Sequence, residues 1–202
     1  MIKTIIFDLG GVYFTDGVKK AIQSISATYG VSPEKVQDIL KGELGTKYRI
    51  GAVTAQGFWD QAKAYWKIEA DNDDLALLWF LGYTPIEETV RIITQLREAS
   101  YELLFLSDNV QERIEYLENK YHFLHHFKDG VFSHIAKTRK PDPAIYKLVL
   151  EKTSNLPEEC VYIDDKEALL LPAQELGMKT ICFQNPEQLR DDLKNFGVSL
   201  RN

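Results

Sequence analysis

The stretch Ile5-Ile6-Phe7-Asp8-Leu9-Gly10-Gly11-Val12 decides how this chain folds. Its apolar start is typical of a short buried strand, which ends at a lone carboxylate, Asp8, and is followed by two glycines. Ligands of open α/β sheets bind at the carboxyl ends of the strands, so Asp8 is placed to act as a nucleophile, a metal ligand or both. Gly10 and Gly11 allow the backbone to turn sharply and to approach a ligand closely.

The composition predicts an ordinary soluble globular protein. The chain has 202 residues, of which 45% are hydrophobic and 27% charged, and its net charge is −6. This charge argues against a nucleic-acid or anionic-membrane partner, and no apolar run reaches the roughly 18 residues of a membrane span. Asp8 interrupts the N-terminal apolar run, so we expect no signal peptide. Cys160 and Cys182 fall in predicted strands, and we expect reduced thiols in a cytoplasmic protein.

The order of predicted elements indicates an α/β core with an insert. Only helical signals occur from Gly17 to about Leu81, whereas strands and helices alternate after Tyr83. The later strands are predicted at residues 101–106, 131–135, 160–163 and 179–183, and helices at 84 onward, 110–119, 142–152, 167–176 and 186 onward. Alternation implies a parallel sheet covered on both faces, so we predict an α/β core of residues 1–14 and 84–202 with a small all-helical cap of residues 15–83.

Four short polar motifs follow predicted strands or precede helices. They are Asp8, Ser107-Asp108-Asn109, Arg139-Lys140-Pro141-Asp142 and Asp164-Asp165. Because carboxyl ends of parallel strands meet at one edge of the sheet, we expect these motifs to converge at one site.

The chemistry of these motifs fits phosphoryl transfer. Asp8 offers a carboxylate nucleophile, and the added charge of Asp164 and Asp165 is costly unless a cation lies between them. Oxygen ligands without paired His or Cys favour Mg²⁺. Lys140 can neutralise the nucleophile and the developing phosphoryl charge. The Ser107 hydroxyl and the Asn109 backbone N–H could hold phosphate oxygens.

The ordered set of motifs resembles the haloacid dehalogenase-like hydrolase superfamily over nearly the whole chain. The matching segments are Phe7 to Val12, Leu106 to Asn109, Arg139 to Pro143 and Tyr162 to Asp165. Within that superfamily the chain looks most like the phosphatases with a C1-type helical cap, including sugar-phosphate phosphatases of the α-glucose-1-phosphatase type.

The resemblance implies a Rossmann-like three-layer core and an aspartyl-phosphate intermediate on Asp8. It implies a Mg²⁺ ion held by the Asp8 carboxylate, the Gly10 carbonyl and Asp165, with Asp164 acting directly or through water. It also implies that Ser107, Asp108, Asn109 and Lys140 form the phosphate-binding side of the site.

Gly10 departs from the usual pattern of the family, which has a second Asp at this position to protonate the leaving alcohol and activate water. Such acid–base help contributes roughly 10²–10⁴-fold in rate. The sugar-phosphate branch also carries Gly here. Candidate replacements for the acid are Asp16, Asp108 and the cap residues Tyr48 and Arg49, which are also candidate substrate contacts.

Leu169 is a further departure, since many relatives carry Asn or Asp there. Together with Gly10 it motivates an alternative, a binding or regulatory protein that kept the fold and lost turnover. Another alternative is a metal-independent 2-haloacid dehalogenase, against which the Asp164-Asp165 pair argues. A receiver domain is a further alternative, but its acidic pair would lie on the first strand. The leading interpretation is a Mg²⁺-dependent phosphatase of a small phosphorylated metabolite.

Overall fold

The core of the protein is a five-stranded parallel sheet, seen in a computed structural model that describes residues 1–200. The strands are β1 (Thr4–Phe7), β2 (Glu102–Ser107), β3 (Asp129–Phe132), β4 (Cys160–Asp164) and β5 (Lys179–Cys182). Their order is β3-β2-β1-β4-β5, so the chain builds one half of the sheet, crosses over β1 and builds the other half. This order puts the topological switch point between β1 and β4, where ligands bind in open α/β sheets.

Helices connect and cover these strands. Between β1 and β2 lie α1 (Gly17–Tyr29), α2 (Pro33–Lys41), α3 (Glu43–Arg49), α4 (Ala55–Trp66), α5 (Asn72–Phe80) and α6 (Glu87–Glu98). The later helices are α7 (Gln111–Tyr121), α8 (Ser133–Ala136), α9 (Pro143–Leu150), α10 (Leu171–Glu175) and α11 (Pro186–Asn195). The predicted α/β architecture with a parallel sheet is confirmed.

The sheet is buried on both faces, which makes the core three-layered. Ile5 and Phe7 belong to one apolar cluster and Ile6 to a second, so alternate residues of β1 point to opposite faces. Helices α6 and α11 contribute to the first cluster, and α9 and α10 to the second. A strand enclosed in this way is apolar throughout, as the opening stretch of the sequence is.

The helical insert has an aromatic core of its own. Phe58 stacks on Tyr48 with ring centroids 4.5 Å apart, and Trp59 meets Trp79 edge-on at 6.0 Å. The two segments that join the insert to the sheet are paired, since Thr15 N donates to Thr84 O and Ile86 N to Tyr13 O. The proposed domain limits, after residue 14 and before residue 84, fall at this paired segment.

Three predicted element boundaries are wrong. The strand expected over 131–135 ends at Phe132, because the chain turns into α8. The helix expected from residue 84 begins at Glu87, since Pro85 pairs with Phe14 instead. The helix expected over 167–176 is a 3₁₀ turn, Glu167–Leu169, followed by α10, because Pro172 lacks an N–H and restarts the helix.

The remaining features of the fold are the length of its helices and the state of its two cysteines. Among residues 1–200 no helix has both the length and the apolar character needed to cross a membrane. Cys160 and Cys182 lie in β4 and β5, as predicted, and both are free thiols.

Candidate active site

Asp8 lies directly after β1, in the middle of the sheet. Its N–H donates to Ile163 O at 2.8 Å, which continues the β1–β4 ladder and fixes the backbone of the residue. The side chain is buried, and its Oδ1 accepts a hydrogen bond from Lys140 Nζ at 2.8 Å. The first strand thus places the Asp8 carboxylate, held by these hydrogen bonds, at the switch point of the sheet.

The two glycines after Asp8 are under different constraints. Gly11 has a φ of +102°, and a Cβ there would be 2.5 Å from the Asp165 carboxylate, so only glycine fits. Gly10 has no left-handed backbone, and a Cβ would meet only Tyr83 Cε1, at an ordinary 3.6 Å. The expectation that both glycines serve the turn holds for Gly11, whereas position 10 has room for a side chain.

Lys140 is the only ammonium group that contacts both Asp8 and Asp164 among residues 1–200. Its Nζ lies 2.7 Å from Asp164 Oδ2 and 3.0 Å from the Tyr162 hydroxyl, in addition to the Asp8 contact. The Leu106 carbonyl lies farther from Nζ, at 3.4 Å, so four acceptors surround the three donors of the ammonium group. Burial alone would lower the pKa of Lys140, but the carboxylates of Asp164 and Asp8 raise it well above the usual value. Lys140 therefore stays charged at all physiological pH values.

The carboxylates around Lys140 are more numerous than one ammonium can balance. Asp8, Asp164 and Asp165 each offer an oxygen within 4.8 Å of the others. Burial, reinforced by Asp164, raises the pKa of Asp8 to about 7 despite Lys140. Burial also raises the pKa of Asp165, whereas Lys140 and hydrogen bonds from Tyr162 and the Lys166 N–H overcome burial and lower that of Asp164.

The donor set of this cluster fits a hard divalent cation, since all its ligand atoms are oxygens. The oxygens differ in how much room they have for an ion. Asp164 Oδ2 already accepts from Lys140 and Tyr162, and its Oδ1 accepts from Lys166 N at 2.9 Å. Within residues 1–200, Asp8 Oδ2 has no hydrogen-bond partner and the Gly10 carbonyl accepts no backbone hydrogen bond. Asp8, Asp165 and Gly10 are therefore the most open ligands.

The motif after β2 is arranged differently from the expectation. Ser107 is buried at the end of the strand, with its Oγ 3.5 Å from Asn109 Nδ2. The Asn109 N–H, which was predicted to hold a phosphate oxygen, donates to Ser133 Oγ at 2.9 Å in the ligand-free protein. The Asp108 carboxylate accepts from Lys140 N at 3.1 Å and from Arg139 Nε at 2.9 Å. Asp108 thereby ties the Arg139-Lys140 loop to β2.

The two cap residues chosen from the sequence have different surroundings. Arg49 lines the cavity above Asp8, and its Nη1 donates to Leu40 O at 2.8 Å and Gly45 O at 3.0 Å. Tyr48 is not among the residues that line this cavity; its hydroxyl donates to Glu112 at 2.8 Å, and its ring packs on Phe58. The structure brings Arg49 to the site and leaves Tyr48 in the packing between α3 and α7.

A cavity of about 320 Å³ lies over the site. Its lining includes Asp8, Gly10, Ser107, Lys140, Arg49 and Arg113. Asp16, a proposed substitute acid, also lines the cavity, but its Oδ1 caps α1 by accepting from Val18 N at 3.1 Å. The cavity thus gathers residues from three of the four predicted motifs and from the insert, and Asp164 of the fourth motif contacts the cavity residue Lys140.

Sequence reasoning missed two buried residues of the site. Tyr162 contacts both Lys140 and Asp164 and could have been found, since it lies two residues before Asp164 and so on the same face of β4. Arg113 lines the cavity and donates from Nε to Asn109 Oδ1 at 2.6 Å. Its position four residues after Asn109, on the first turn of α7, is the one sequence signal that pointed to it.

Known proteins share this arrangement of sheet and insert. The family model for haloacid dehalogenase-like hydrolases matches residues 2–177. The HAD family enzyme bt-2542 of Bacteroides thetaiotaomicron, solved in complex with magnesium and inorganic phosphate, superimposes with a TM-score of 0.80 at 23% identity, over 94% of this chain and 99% of that one.

Two curated proteins are similar to this chain in sequence. A Dictyostelium discoideum protein is 30% identical over 144 residues, which are 69% of this chain, and this chain spans only 62% of its length. The sesquiterpene phosphatase astK of Aspergillus oryzae is 24% identical over 179 residues, or 87% of each chain. With the family match covering most of the sequence and its motif-bearing strand ends meeting at one site, the chain belongs to the haloacid dehalogenase-like hydrolases.

Proposed function

We propose that this protein is a Mg²⁺-dependent phosphatase that hydrolyses a small phosphorylated metabolite through an aspartyl-phosphate intermediate on Asp8. The observation that carries this proposal is the Asp8 carboxylate at the switch point, with one oxygen held by Lys140 at 2.8 Å and the other free. Two more carboxylates lie within 4.8 Å of it. The family membership and the similarity to a phosphatase over 87% of the chain support it.

The side chains have distinct tasks in this proposal. One carboxylate oxygen of Asp8 attacks phosphorus, the bond from phosphorus to the leaving oxygen breaks, and the bonding electrons leave with that oxygen, which then takes a proton from water. A water molecule next attacks the phosphoryl group, which frees Asp8 and releases inorganic phosphate. Lys140 holds Asp8 in position, and the Ser107 hydroxyl binds a phosphoryl oxygen.

A magnesium ion would fit this site, with the Asp8 and Asp165 carboxylates and the Gly10 carbonyl as its ligands. When bound, the ion would offset the repulsion among the carboxylates and stabilise the negative charge that develops on the phosphoryl oxygens. Asp164 acts mainly by positioning Lys140, since its oxygens are already taken by Lys140, Tyr162 and the Lys166 N–H.

Turnover of p-nitrophenyl phosphate tests the proposal. We expect hydrolysis that requires MgCl₂, stops with EDTA and is lost in Asp8→Asn, while Asp191→Asn, at a side chain that is 68% exposed on α11, serves as the matched control. Acid quenching during turnover should trap one phosphoryl group on the peptide that contains Asp8. Equal turnover by the wild type and Asp8→Asn would refute the nucleophile.

Absence of turnover with every phosphate ester would instead favour the alternative of a binding protein, for which the side-chain-free Gly10 is the structural argument. The cap limits at residues 15–83 and the α-glucose-1-phosphatase-like branch are part of the same proposal. They make sugar phosphates one substrate class to include in the assay.

A further inference from the structure

Two buried arginines border the active-site cavity without a carboxylate partner. Arg49 on α3 is 6% exposed and Arg113 on α7 is 1% exposed. Neither takes part in any salt bridge among residues 1–200, whereas Arg139, Lys140 and Lys166 of the same cavity each pair with a carboxylate. Charged side chains are seldom buried unless they are paired, so this pair needs an explanation.

The protein compensates only part of their charge. The Arg49 and Arg113 guanidinium groups lie 5.2 and 4.7 Å from the ring centroid of Trp79, and that of Arg113 lies 4.5 Å from the Tyr83 ring. Cation–π contacts offset less than the penalty for burying an ion. Burial, together with repulsion from Arg113, lowers the pKa of Arg49 to about 10, so the group is still charged at neutral pH.

Both guanidinium groups keep unused donors. Nη1 of Arg49 is anchored on two carbonyls, but its Nε and Nη2 have no partner among residues 1–200 and are not sealed from solvent. Nη1 of Arg113 is sealed and unpartnered, while Nε holds Asn109 Oδ1. Arg49 can therefore donate to a ligand in the cavity, and Arg113 adds positive charge beside it.

The pair lies beside Asn109, in the cavity that Asp8 and Lys140 also line. Asn109 links both arginines to the phosphate side of the site, since it bonds Arg113 directly and reaches the Arg49 carbonyl through Ser133. Arg49 belongs to the insert, and substituents beyond the leaving oxygen of the substrate would extend toward the insert. A cavity of about 320 Å³ keeps such a substrate small.

We propose that the substrate carries a second anionic group, a carboxylate or a second phosphate, and that Arg49, supported by Arg113, binds this group. The inference rests on the proposed phosphatase function and narrows its substrate class. The planar fork of arginine suits carboxylate and phosphate alike.

Pairs of phosphate esters that differ in one acidic group test this inference in the Mg²⁺-loaded enzyme. The carboxylate pair is 3-phosphoglycerate against glycerol 3-phosphate, and the phosphate pair is fructose 1,6-bisphosphate against fructose 6-phosphate. We expect kcat/KM to be at least about tenfold higher for the acidic member of one pair, as charge-assisted hydrogen bonds provide. The pair that shows the preference identifies the group.

Substitution of Arg49 tests whether this residue causes the preference for the acidic substrate. Arg49→Gln should lower the acidic-to-neutral ratio of kcat/KM by about tenfold, whereas Arg91→Gln, at a side chain that is 69% exposed on α6, should leave the ratio unchanged. Equal losses for both members of a pair would mean that Arg49 contacts the transferred phosphoryl group, and this would overturn the second subsite.

The two proposals fail in distinguishable ways. If p-nitrophenyl phosphate is hydrolysed but both acidic-to-neutral ratios in the wild type are near one, the subsite is refuted and the phosphatase stands. If nothing is hydrolysed, calorimetric titration of Asp8→Asn with the same pairs decides. Tighter binding of the acidic members supports the subsite, and equal binding refutes it.

Discussion

Installing an acid at position 10 tests whether the missing proton donor limits this enzyme. In the family pattern, the residue two beyond the nucleophile is an Asp that protonates the leaving group, and Gly10 stands there instead. Gly10 lines the cavity, and a Cβ would contact Tyr83 Cε1 at 3.6 Å without strain. We therefore expect Gly10→Asp to fold and to place its carboxylate in the cavity.

The expected increase in kcat of Gly10→Asp depends on the leaving group of the substrate. General acid catalysis contributes roughly 10²–10⁴-fold when the leaving oxygen needs a proton. p-Nitrophenolate is a good leaving group and needs no proton, whereas an alkoxide is a poor leaving group that must be protonated. Gly10→Asp should therefore raise kcat for glycerol 2-phosphate by about 10²-fold or more and change kcat for p-nitrophenyl phosphate by less than about tenfold. The measurement is the ratio of the two kcat values in wild type and variant.

Gly11→Asp is the matched control, because it adds the same side chain one residue later. There the φ of +102° and the 2.5 Å approach to the Asp165 carboxylate forbid a side chain. We expect this variant to be poorly folded or inactive with both esters. A folded Gly10→Asp protein that keeps aryl phosphatase activity but shows an unchanged alkyl-to-aryl ratio would refute the reasoning.

Three further predictions concern the buried charges. Asp8→Asn should raise the free energy of unfolding of the metal-free protein at pH 8 by up to about 4 kcal/mol, because burial raises the Asp8 pKa to about 7 and one pKa unit is worth about 1.4 kcal/mol. Urea denaturation should show this gain in unfolding free energy fading as the pH falls from 7 to below 3.8, where the carboxyl is mostly protonated in both states, and a gain that grows toward low pH would contradict the assignment. Lys140→Met should cost about 3–5 kcal/mol, since it leaves Asp8 and Asp164 without their cation, and urea denaturation with MgCl₂ should recover part of the loss. Tyr162→Phe removes a hydroxyl that contacts Lys140 at 3.0 Å, so we expect a loss of about 1 kcal/mol in stability and a lower kcat with KM little changed, whereas a purely structural tyrosine would leave kcat intact.

Much of the site could be predicted because strand ends are a local property of the sequence. The apolar run before Asp8 is uninterrupted because β1 is enclosed on both faces, and the same holds for the run before Asp164. Once strands are recognised, parallel pairing brings their carboxyl ends to one edge. Asp8, Ser107, Lys140 and Asp164 therefore converge as expected, without any knowledge of the packing.

The sequence could not predict contacts of site residues with neighbours that are distant in the chain. The Asn109 N–H is taken by Ser133, which is 24 positions later in the chain. Tyr48 is directed into the insert by stacking on Phe58 and by Glu112 of α7. The difference between Gly10 and Gly11 is likewise set by contacts with Tyr83 and Asp165. Such long-range contacts leave no periodic signal in the sequence.

The distribution of charge around Asp8 couples the binding of a cation to the binding of the substrate. Three carboxylates lie within 4.8 Å of one another, and Lys140 is the one fully buried cation that contacts them within residues 1–200. Lys166 also pairs with Asp165, at 3.3 Å, so the three carboxylates exceed their two cationic partners by one negative charge. A divalent cation would offset this charge. In the metal-free protein burial, reinforced by the charge of Asp164, raises the pKa values of Asp8 and Asp165. On the Asn109 side of the cavity the imbalance is reversed, because Arg49 and Arg113 have no carboxylate. A cation among the carboxylates and an anionic substituent beside Arg49 would each neutralise charge that the protein leaves unbalanced, so substrate and metal should each bind more tightly when the other is present.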